Sequence, residues 1–138
     1  MTESSTRPMM SVIIPHYGAE DILSECLTSL KNCTYPNLEI IVVDNNSPDD
    51  SAQYIKTNFP EINMIQSEIN RGFSGGCNFG VQHAKGEYLL ILNNDTTHES
   101  DWIDHLVDQI ESNTSISAVQ PKIMNDKKRD HFDYAGAC

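Results

Sequence analysis

The 138-residue sequence has few positive charges and no long apolar run. Nine Lys and Arg stand against 20 Asp and Glu, which gives a formal net charge of −11. Nucleic acid and anionic membrane surfaces both require clustered positive charge, so neither is expected as a partner. No apolar stretch approaches the roughly 20 residues of a membrane-spanning helix, and the first ten residues lack the apolar centre of a signal peptide. These absences predict a cytoplasmic chain, and a position peripheral to the inner membrane stays open as a second location.

Motifs that would point to several common sites are also missing. The four cysteines contain no Cys-x-x-Cys pair, so the sequence indicates neither a zinc site nor a disulfide framework. No Gly-x-Gly-x-x-Gly follows the first apolar run, which argues against the usual dinucleotide-binding turn. No Gly-Lys-Ser/Thr occurs either, so a phosphate-binding P-loop is excluded.

Short apolar runs instead alternate with amphipathic segments along the chain. Strands are predicted over residues 11–14, 38–43, 62–66, 88–92 and 116–120. Helices are predicted over residues 19–32, 48–58, 74–85 and 101–111, and Ser47 is the predicted N-cap of the second. This alternation argues for an α/β fold, a mostly parallel sheet flanked by helices. A flexible leader is expected over residues 1–10 and one domain over 11–138. The run 88–92 is apolar enough to predict a central strand that is buried on both faces.

Polar residues follow four of the predicted strands, and in a parallel sheet these ends face one edge, where such folds bind ligands. Asp44 follows the second strand and is suited to accept hydrogen bonds from a nucleobase. Asn93, Asn94 and Asp95 follow the fourth, where one carboxylate flanked by amides can share a divalent cation with a diphosphate. Between them lie Arg71 and a glycine-rich helix start, which suits an anion. The pattern predicts a nucleoside diphosphate site.

Four motifs resemble, in order, those of glycosyltransferase family 2, which has the GT-A (Rossmann-like) fold. They read Ser-Val-Ile-Ile-Pro-His-Tyr at 11–17, Ile-Ile-Val-Val-Asp-Asn-Asn-Ser at 40–47, Asn-Arg-Gly-Phe-Ser-Gly-Gly-Cys-Asn-Phe-Gly at 70–80 and Gly-Glu-Tyr-Leu-Leu-Ile-Leu-Asn-Asn-Asp-Thr at 86–96. The last two are most similar to the rhamnosyltransferase-like branch. The resemblance implies an inverting transferase for cell-wall or polysaccharide biosynthesis. It would move a sugar from a UDP- or dTDP-linked donor to a hydroxyl of a saccharide or lipid-linked acceptor, assisted by Mn²⁺ or Mg²⁺.

The same resemblance implies a role for each matching residue. Asp44 would bind the base, Asn94 would lie near the ribose, and Asp95 would bind the metal. Arg71 would lie near the base or the phosphates. The full donor site implied in this way comprises Pro15, His16, Tyr17, Asp44, Asn70, Arg71, Gly75, Asn78, Asn93, Asn94 and Asp95. Many members carry an aspartate where this sequence has Asn93, so weaker metal binding is expected.

Two other readings of the sequence stay open beside the transferase. The family's catalytic base belongs to an acceptor-binding half that is expected beyond Cys138, so no catalytic residue is assigned in this chain. The fold would then be truncated, and the chain could be a non-catalytic nucleotide-sugar-binding fragment or assembly module. A sheet edge left exposed would favour a homodimer. A nucleotidyltransferase is disfavoured, because its glycine-rich loop with a basic residue should follow the first strand.

Overall fold

The computed structural model describes residues 7–128 and 130–134. A four-stranded parallel sheet has the order β3-β2-β1-β4 and consists of β1 (Met10–His16), β2 (Leu38–Asp44), β3 (Asn63–Gln66) and β4 (Tyr88–Ile91). The helices are α1 (Glu20–Lys31), α2 (Ser51–Asn58), α3 (Gly72–Val81) and α4 (Trp102–Glu111). An antiparallel hairpin follows, made of β5 (Ile123–Met124) and β6 (Phe132–Tyr134). The predicted α/β architecture is confirmed, and none of the described helices is long and apolar enough to cross a membrane.

Strand β1 is at the centre of the core because its side chains alternate between the two faces of the sheet. Val12 and Ile14 belong to the larger cluster, which includes buried residues of α1, α2 and α4. Ile13 belongs to a smaller cluster beneath α3, together with Ile41 and Val43 of β2. All five side chains are fully buried. The helices therefore cover both faces of β1 and β2, which makes these two strands a rigid base for the loops that follow them.

Strand β1 continues through Pro15 to His16, although the sequence predicted that it would end before the proline. The Ile13 carbonyl accepts from Leu92 N–H on the β4 side, whereas the His16 carbonyl accepts from Asn45 N–H on the β2 side. Because these directions alternate, the missing N–H of Pro15 points to the β4 side, beyond the last residue of β4. The proline therefore costs no ladder bond, and the strand carries His16 to the carboxyl edge.

Strand β4 is an edge strand of this sheet, so the prediction of a central strand buried on both faces is wrong. Leu89 and Ile91 are 48% and 44% exposed. They are in register with Ser11 and Ile13 and therefore lie on the α3 side of the sheet. Helix α3 packs on β1 and β2 and leaves that side of β4 uncovered. An apolar run identifies a strand, but it does not specify the neighbours of that strand. Dimerisation through this edge stays a prediction.

Helix α2 begins at Ser51, four residues after the N-cap that the sequence indicated. The predicted cap, Ser47, accepts from Gly18 N–H at 2.9 Å with its hydroxyl, and its own N–H donates to Asp44 at 3.1 Å. Asp49 instead accepts from both the N–H and the hydroxyl of Ser51. The segment 47–50 belongs to the loop after β2, and Ser47 is hydrogen-bonded to Gly18 in the loop after β1. The strand predicted over 116–120 is also wrong, because that stretch is irregular and pairing occurs further on, in β5.

Residues 7–10, which the sequence prediction assigned to the leader, contact the folded domain. Arg7 forms ion pairs with Asp104 at 2.8 Å and Asp108 at 2.5 Å, both on α4. Its guanidinium also lies 5.3 Å from the centre of the Tyr35 ring. Met10 is already the first residue of β1. Residues 1–6 and the last four residues, including Cys138, lie outside the described part of the chain.

Candidate functional site

A cleft of about 300 Å³ opens at the carboxyl edge of the sheet. It combines residues from three strand ends and from the loop that precedes α3. Its lining consists of Pro15, His16, Tyr17, Asn45, Asn70, Gly72, Phe73 and Asn94. Five of the predicted site residues are among them, namely Pro15, His16, Tyr17, Asn70 and Asn94. A second, more open groove of about 360 Å³ runs along α1 and contains no predicted site residue.

His16 lies at the base of the cleft and is 1% exposed. The side-chain N–H of Asn94 donates to His16 Nδ1 at 3.1 Å, so the ring proton belongs on Nε2. Burial lowers the pKa of His16 more strongly than the nearby charges of Asp44 and Asp49 raise it. The ring is therefore neutral at physiological pH. Its Nε2 is buried and has no hydrogen-bond partner among the described residues.

Sequence reasoning missed three residues of the lining, Asn45, Gly72 and Phe73, and Asn45 is the one with a polar side chain. It is 3% exposed, and its side-chain N–H donates to the Gly72 carbonyl at 3.3 Å. That bond fixes the amide orientation and leaves Oδ1 buried without a partner in the described structure. His16 Nε2–H and Asn45 Oδ1 are thus one unused donor and one unused acceptor on two residues that line the same cleft. The signal that could have found Asn45 was its place directly after Asp44 at a strand end.

Asp44 is 2% exposed and is not part of the cleft lining. Its carboxylate accepts from Ser47 N–H at 3.1 Å and from the Gln66 side-chain amide at 3.3 Å. An ionised carboxylate offers about four acceptor positions, so these two bonds leave room for a third. The described contacts of Asp44 stabilise the loop after β2. Its predicted contact with a base stays a prediction.

Three further predicted residues are on α3 or at its start, outside the lining. Arg71 Nε–H donates to Ser67 Oγ at 2.8 Å, and the guanidinium lies 4.7 Å from the centre of the Phe79 ring. These two contacts therefore fix the orientation of the Arg71 side chain, which directly follows Asn70 of the cleft lining in sequence. Gly75 faces the Arg71 side chain, and Asn78 is on the exposed side of the helix. The structure does not bring Gly75 or Asn78 into the cleft.

The glycines of α3 allow the helix to approach the strand ends closely. A Cβ on Gly76 would lie 2.7 Å from Asn45 Nδ2 and 3.2 Å from Pro15 Cβ. A Cβ on Gly80 would lie 2.5 Å from a methyl group of Ile13. These glycines therefore serve packing, while Gly72, with φ of +67°, forms the turn at the cleft itself.

The sequence Gly-Phe-Ser-Gly-Gly at residues 72–76 also matches the Gly-x-Ser-x-Gly motif of a hydrolase nucleophile elbow. In an elbow, the serine is on the sharp turn between a strand and a helix. Ser74 is instead the third residue of α3 and is exposed. The match therefore gives no support to a hydrolase.

Asp95 and Asn93 are exposed and flank Asn94 in sequence, but neither is part of the cleft lining. No three His, Cys, Asp or Glu side chains are grouped closely enough to hold a metal ion in the described part of the chain. Mg²⁺ and similar ions usually take one or two carboxylates and complete their shell with waters and substrate phosphates. Asp95 therefore fits a metal that is shared with a diphosphate, and it does not fit a site built by the protein alone.

The sequence profile described as "Glycosyl transferase family 2" matches residues 11–135, nearly the whole chain. The chain belongs to glycosyltransferase family 2. The profile begins just inside β1 and extends beyond the hairpin strand β6, so it covers the cleft and every predicted site residue. The predicted family is thereby confirmed.

Two curated relatives that this family 2 chain matches are much longer than the chain. An uncharacterized glycosyltransferase of Haemophilus influenzae is 32% identical over 115 residues, which are 81% of this chain and 36% of that protein. A poly(ribitol-phosphate) beta-glucosyltransferase of Bacillus spizizenii is 39% identical over 92 residues, which are 62% of this chain and 14% of that protein. This family 2 chain thus spans about a third or less of their length.

Solved structures agree with the GT-A fold expected for the family. The structure of S. aureus TarS 1-349 in complex with UDP matches with a TM-score of 0.68 and 28% identity, over 75% of this chain and 32% of that one. The mannosyltransferase PcManGT from Pyrobaculum calidifontis, in complex with GDP-Man and Mn²⁺, has a TM-score of 0.69 over 87% of this chain and 35% of that one. At 23% identity, the second likeness concerns the fold alone. The predicted GT-A fold is confirmed.

Proposed function

We propose that this chain binds the nucleotide-diphosphate sugar of an inverting glycosyltransferase. The observation that carries the proposal is the cleft at the carboxyl edge, whose lining includes His16 and Asn45, each with a buried polar atom that has no partner among the described residues, and the exposed aromatic residues Tyr17 and Phe73. A group that both accepts and donates a hydrogen bond, such as a ribose hydroxyl or a base imide, matches that pair of atoms. Crystal structures of the related TarS with UDP and with UDP-GlcNAc support a UDP- or dTDP-linked donor.

Asp95 is proposed to hold the divalent cation together with the donor's diphosphate. Sugar transfer leaves a nucleoside diphosphate with new negative charge, and a bound Mn²⁺ or Mg²⁺ supplies charge stabilisation there. The exposed Asp95 carboxylate follows Asn94, which is itself bonded to His16 in the cleft. Because no three His, Cys, Asp or Glu side chains in the described part of the chain could hold a metal together, affinity for the metal should depend strongly on the bound nucleotide.

The group that deprotonates the acceptor is proposed to come from the rest of a longer enzyme. The lining of the cleft contains no carboxylate. His16 is the one imidazole in that lining, but Nδ1 already accepts a hydrogen bond and burial lowers the pKa of the ring. Transfer to a saccharide or lipid-linked acceptor is therefore proposed for the full-length protein. A non-catalytic binding module would instead bind the donor and never turn it over with any acceptor.

Calorimetry with UDP and dTDP, each with and without MnCl₂, tests the binding proposal. We expect UDP or dTDP to bind and Mn²⁺ to strengthen that binding. Asp95→Asn should abolish the effect of Mn²⁺ and leave metal-free binding unchanged. Asp101→Asn is the matched control, because Asp101 is exposed and only six residues further along the chain. Absence of nucleotide binding by a folded sample would refute the proposal. An unchanged Mn²⁺ effect in Asp95→Asn would refute the role of Asp95.

A further inference from the structure

His98 connects the loop that carries Asp95 to helix α1. One ring nitrogen, Nδ1, lies 2.8 Å from Ser29 Oγ on α1, and the other, Nε2, lies 3.0 Å from Thr96 Oγ1. The Thr96 hydroxyl in turn lies 3.0 Å from the Asn93 carbonyl, to which it donates. A continuous series of hydrogen bonds thus links α1 to the main chain of Asn93.

Counting hydrogens shows that one of these short contacts must be given up, and the choice of that contact sets the direction of the series. Ser29 Oγ also lies 2.8 Å from the Cys26 carbonyl, so the two hydroxyls and the ring make four contacts. A neutral imidazole and two hydroxyls supply only three hydrogens. The Cys26 carbonyl is inside α1 and already accepts a helical N–H. Of the four contacts, its hydrogen bond from Ser29 is therefore the one whose loss costs least. Ser29 then donates to Nδ1, Nε2–H donates to Thr96, and Thr96 keeps its bond to Asn93.

The surroundings of His98 hold the ring in this neutral, directional state. Its ring stacks on Trp102 with 4.5 Å between the centroids and 12° between the planes. Burial lowers the pKa of His98 to about 4, so the ring is uncharged at neutral pH. A second contact from α1 reaches the same carbonyl, because Cys26 Sγ lies 3.8 Å from Asn93 O.

The other side of the loop is attached to the cleft by the bond from Asn94 to His16. The segment 93–95 is thus fixed from two directions, by β1 and by α1. We propose that His98 is a positioning residue that holds the Asn93 main chain and so presents Asn94 and Asp95 to the diphosphate of the bound nucleotide. This inference rests on the proposed function, because it assigns Asp95 to the metal and the diphosphate.

Two substitutions separate positioning from mere packing. His98→Leu keeps an apolar side chain of similar bulk against Trp102 but removes both nitrogens. His98→Gln keeps a side-chain N–H that can donate to Thr96. His105→Leu is the control, because His105 is 75% exposed and is on α4, away from this series of bonds. All three variants are measured by thermal unfolding, by calorimetry with UDP and MnCl₂, and by hydrogen exchange of a peptide covering residues 93–98.

We expect His98→Leu to weaken UDP binding in the presence of Mn²⁺ by about 10-fold, the loss typical of removing a group that orients a metal ligand. Metal-free UDP affinity and the melting temperature should change little, exchange in the 93–98 peptide should rise, and His98→Gln should restore most of both losses. Unchanged exchange in His98→Leu, or Gln behaving like Leu, would overturn the inference. A wild-type chain that binds no nucleotide would overturn the proposed function instead, and the exchange data would still decide whether His98 holds the loop.

Discussion

Adding one methyl group at either of two positions on α3 should have opposite consequences, because the same helix face touches the cleft at one end and the core at the other. Gly76 and Gly80 are one helical turn apart, and both are buried. A Cβ at Gly80 would lie 2.5 Å from an Ile13 methyl and 2.9 Å from a Val43 methyl. A Cβ at Gly76 would lie 2.7 Å from the side-chain nitrogen of Asn45.

The expected change in stability depends on whether the neighbouring side chains can move away from the new methyl group. Ile13 and Val43 are fully buried and cannot rotate away, so Gly80→Ala overpacks the core at a cost of about 1–3 kcal/mol. Replacing a helical glycine with alanine returns about 1 kcal/mol of helix propensity, which leaves a net loss of about 0–2 kcal/mol. The Asn45 side chain, in contrast, can change its side-chain torsion angles. Gly76→Ala should therefore break the bond from Asn45 to Gly72, worth about 1 kcal/mol, and displace Pro15 by a few tenths of an ångström, and the propensity gain offsets most of that loss.

Thermal unfolding and calorimetry with UDP distinguish the two variants. Gly80→Ala should melt several degrees below the wild type, roughly 4 °C for each kcal/mol lost, and bind UDP normally once folded. Gly76→Ala should melt near the wild type but bind UDP about 10-fold more weakly, because Asn45 Oδ1 is the displaced acceptor and one such hydrogen bond is worth about 1.4 kcal/mol. The reasoning is refuted if Gly76→Ala binds UDP as the wild type does, or if it is the less stable of the two.

Other predictions concern single side chains outside the cleft. Burial raises the pKa of the Cys26 thiol to about 11, so in the folded protein it should react with Ellman's reagent at pH 8 far more slowly than the half-buried Cys33. The pKa of His98 is lowered from 6.5 to about 4, so its contribution to stability is complete above pH 6.5 and is lost as the pH falls toward 4. Denaturant titrations should show this decline in the wild type and a shallower one in His98→Gln. Arg7→Ala should lower the melting temperature, and the difference should shrink in 1 M NaCl because both ion pairs of Arg7 are partly exposed.

Most of the fold could be predicted from local sequence patterns, because periodicity and turn chemistry act within a few residues. The four strands of the main sheet and the four helices were placed to within a few residues, and the family motifs lie at the strand ends. The start of α2 was misplaced because Ser47, a good cap by residue type, is used by Gly18 from another loop. The strand predicted at 116–120 failed because its apolar residues find no partner strand in the described structure.

The sequence by itself determined the alternation of strands and helices, the family, and the strand ends that meet at one edge. Only the tertiary structure decided that β4 is an edge strand, that Asn45 belongs to the cleft, and that His98 links the Asp95 loop to α1. The physical reason is distance along the chain. Hydrophobic periodicity and backbone preference are local properties of the sequence. Strand order and hydrogen bonds such as that between Ser29 and His98 depend on residues far apart in sequence. They exist only after the helices have packed on the sheet.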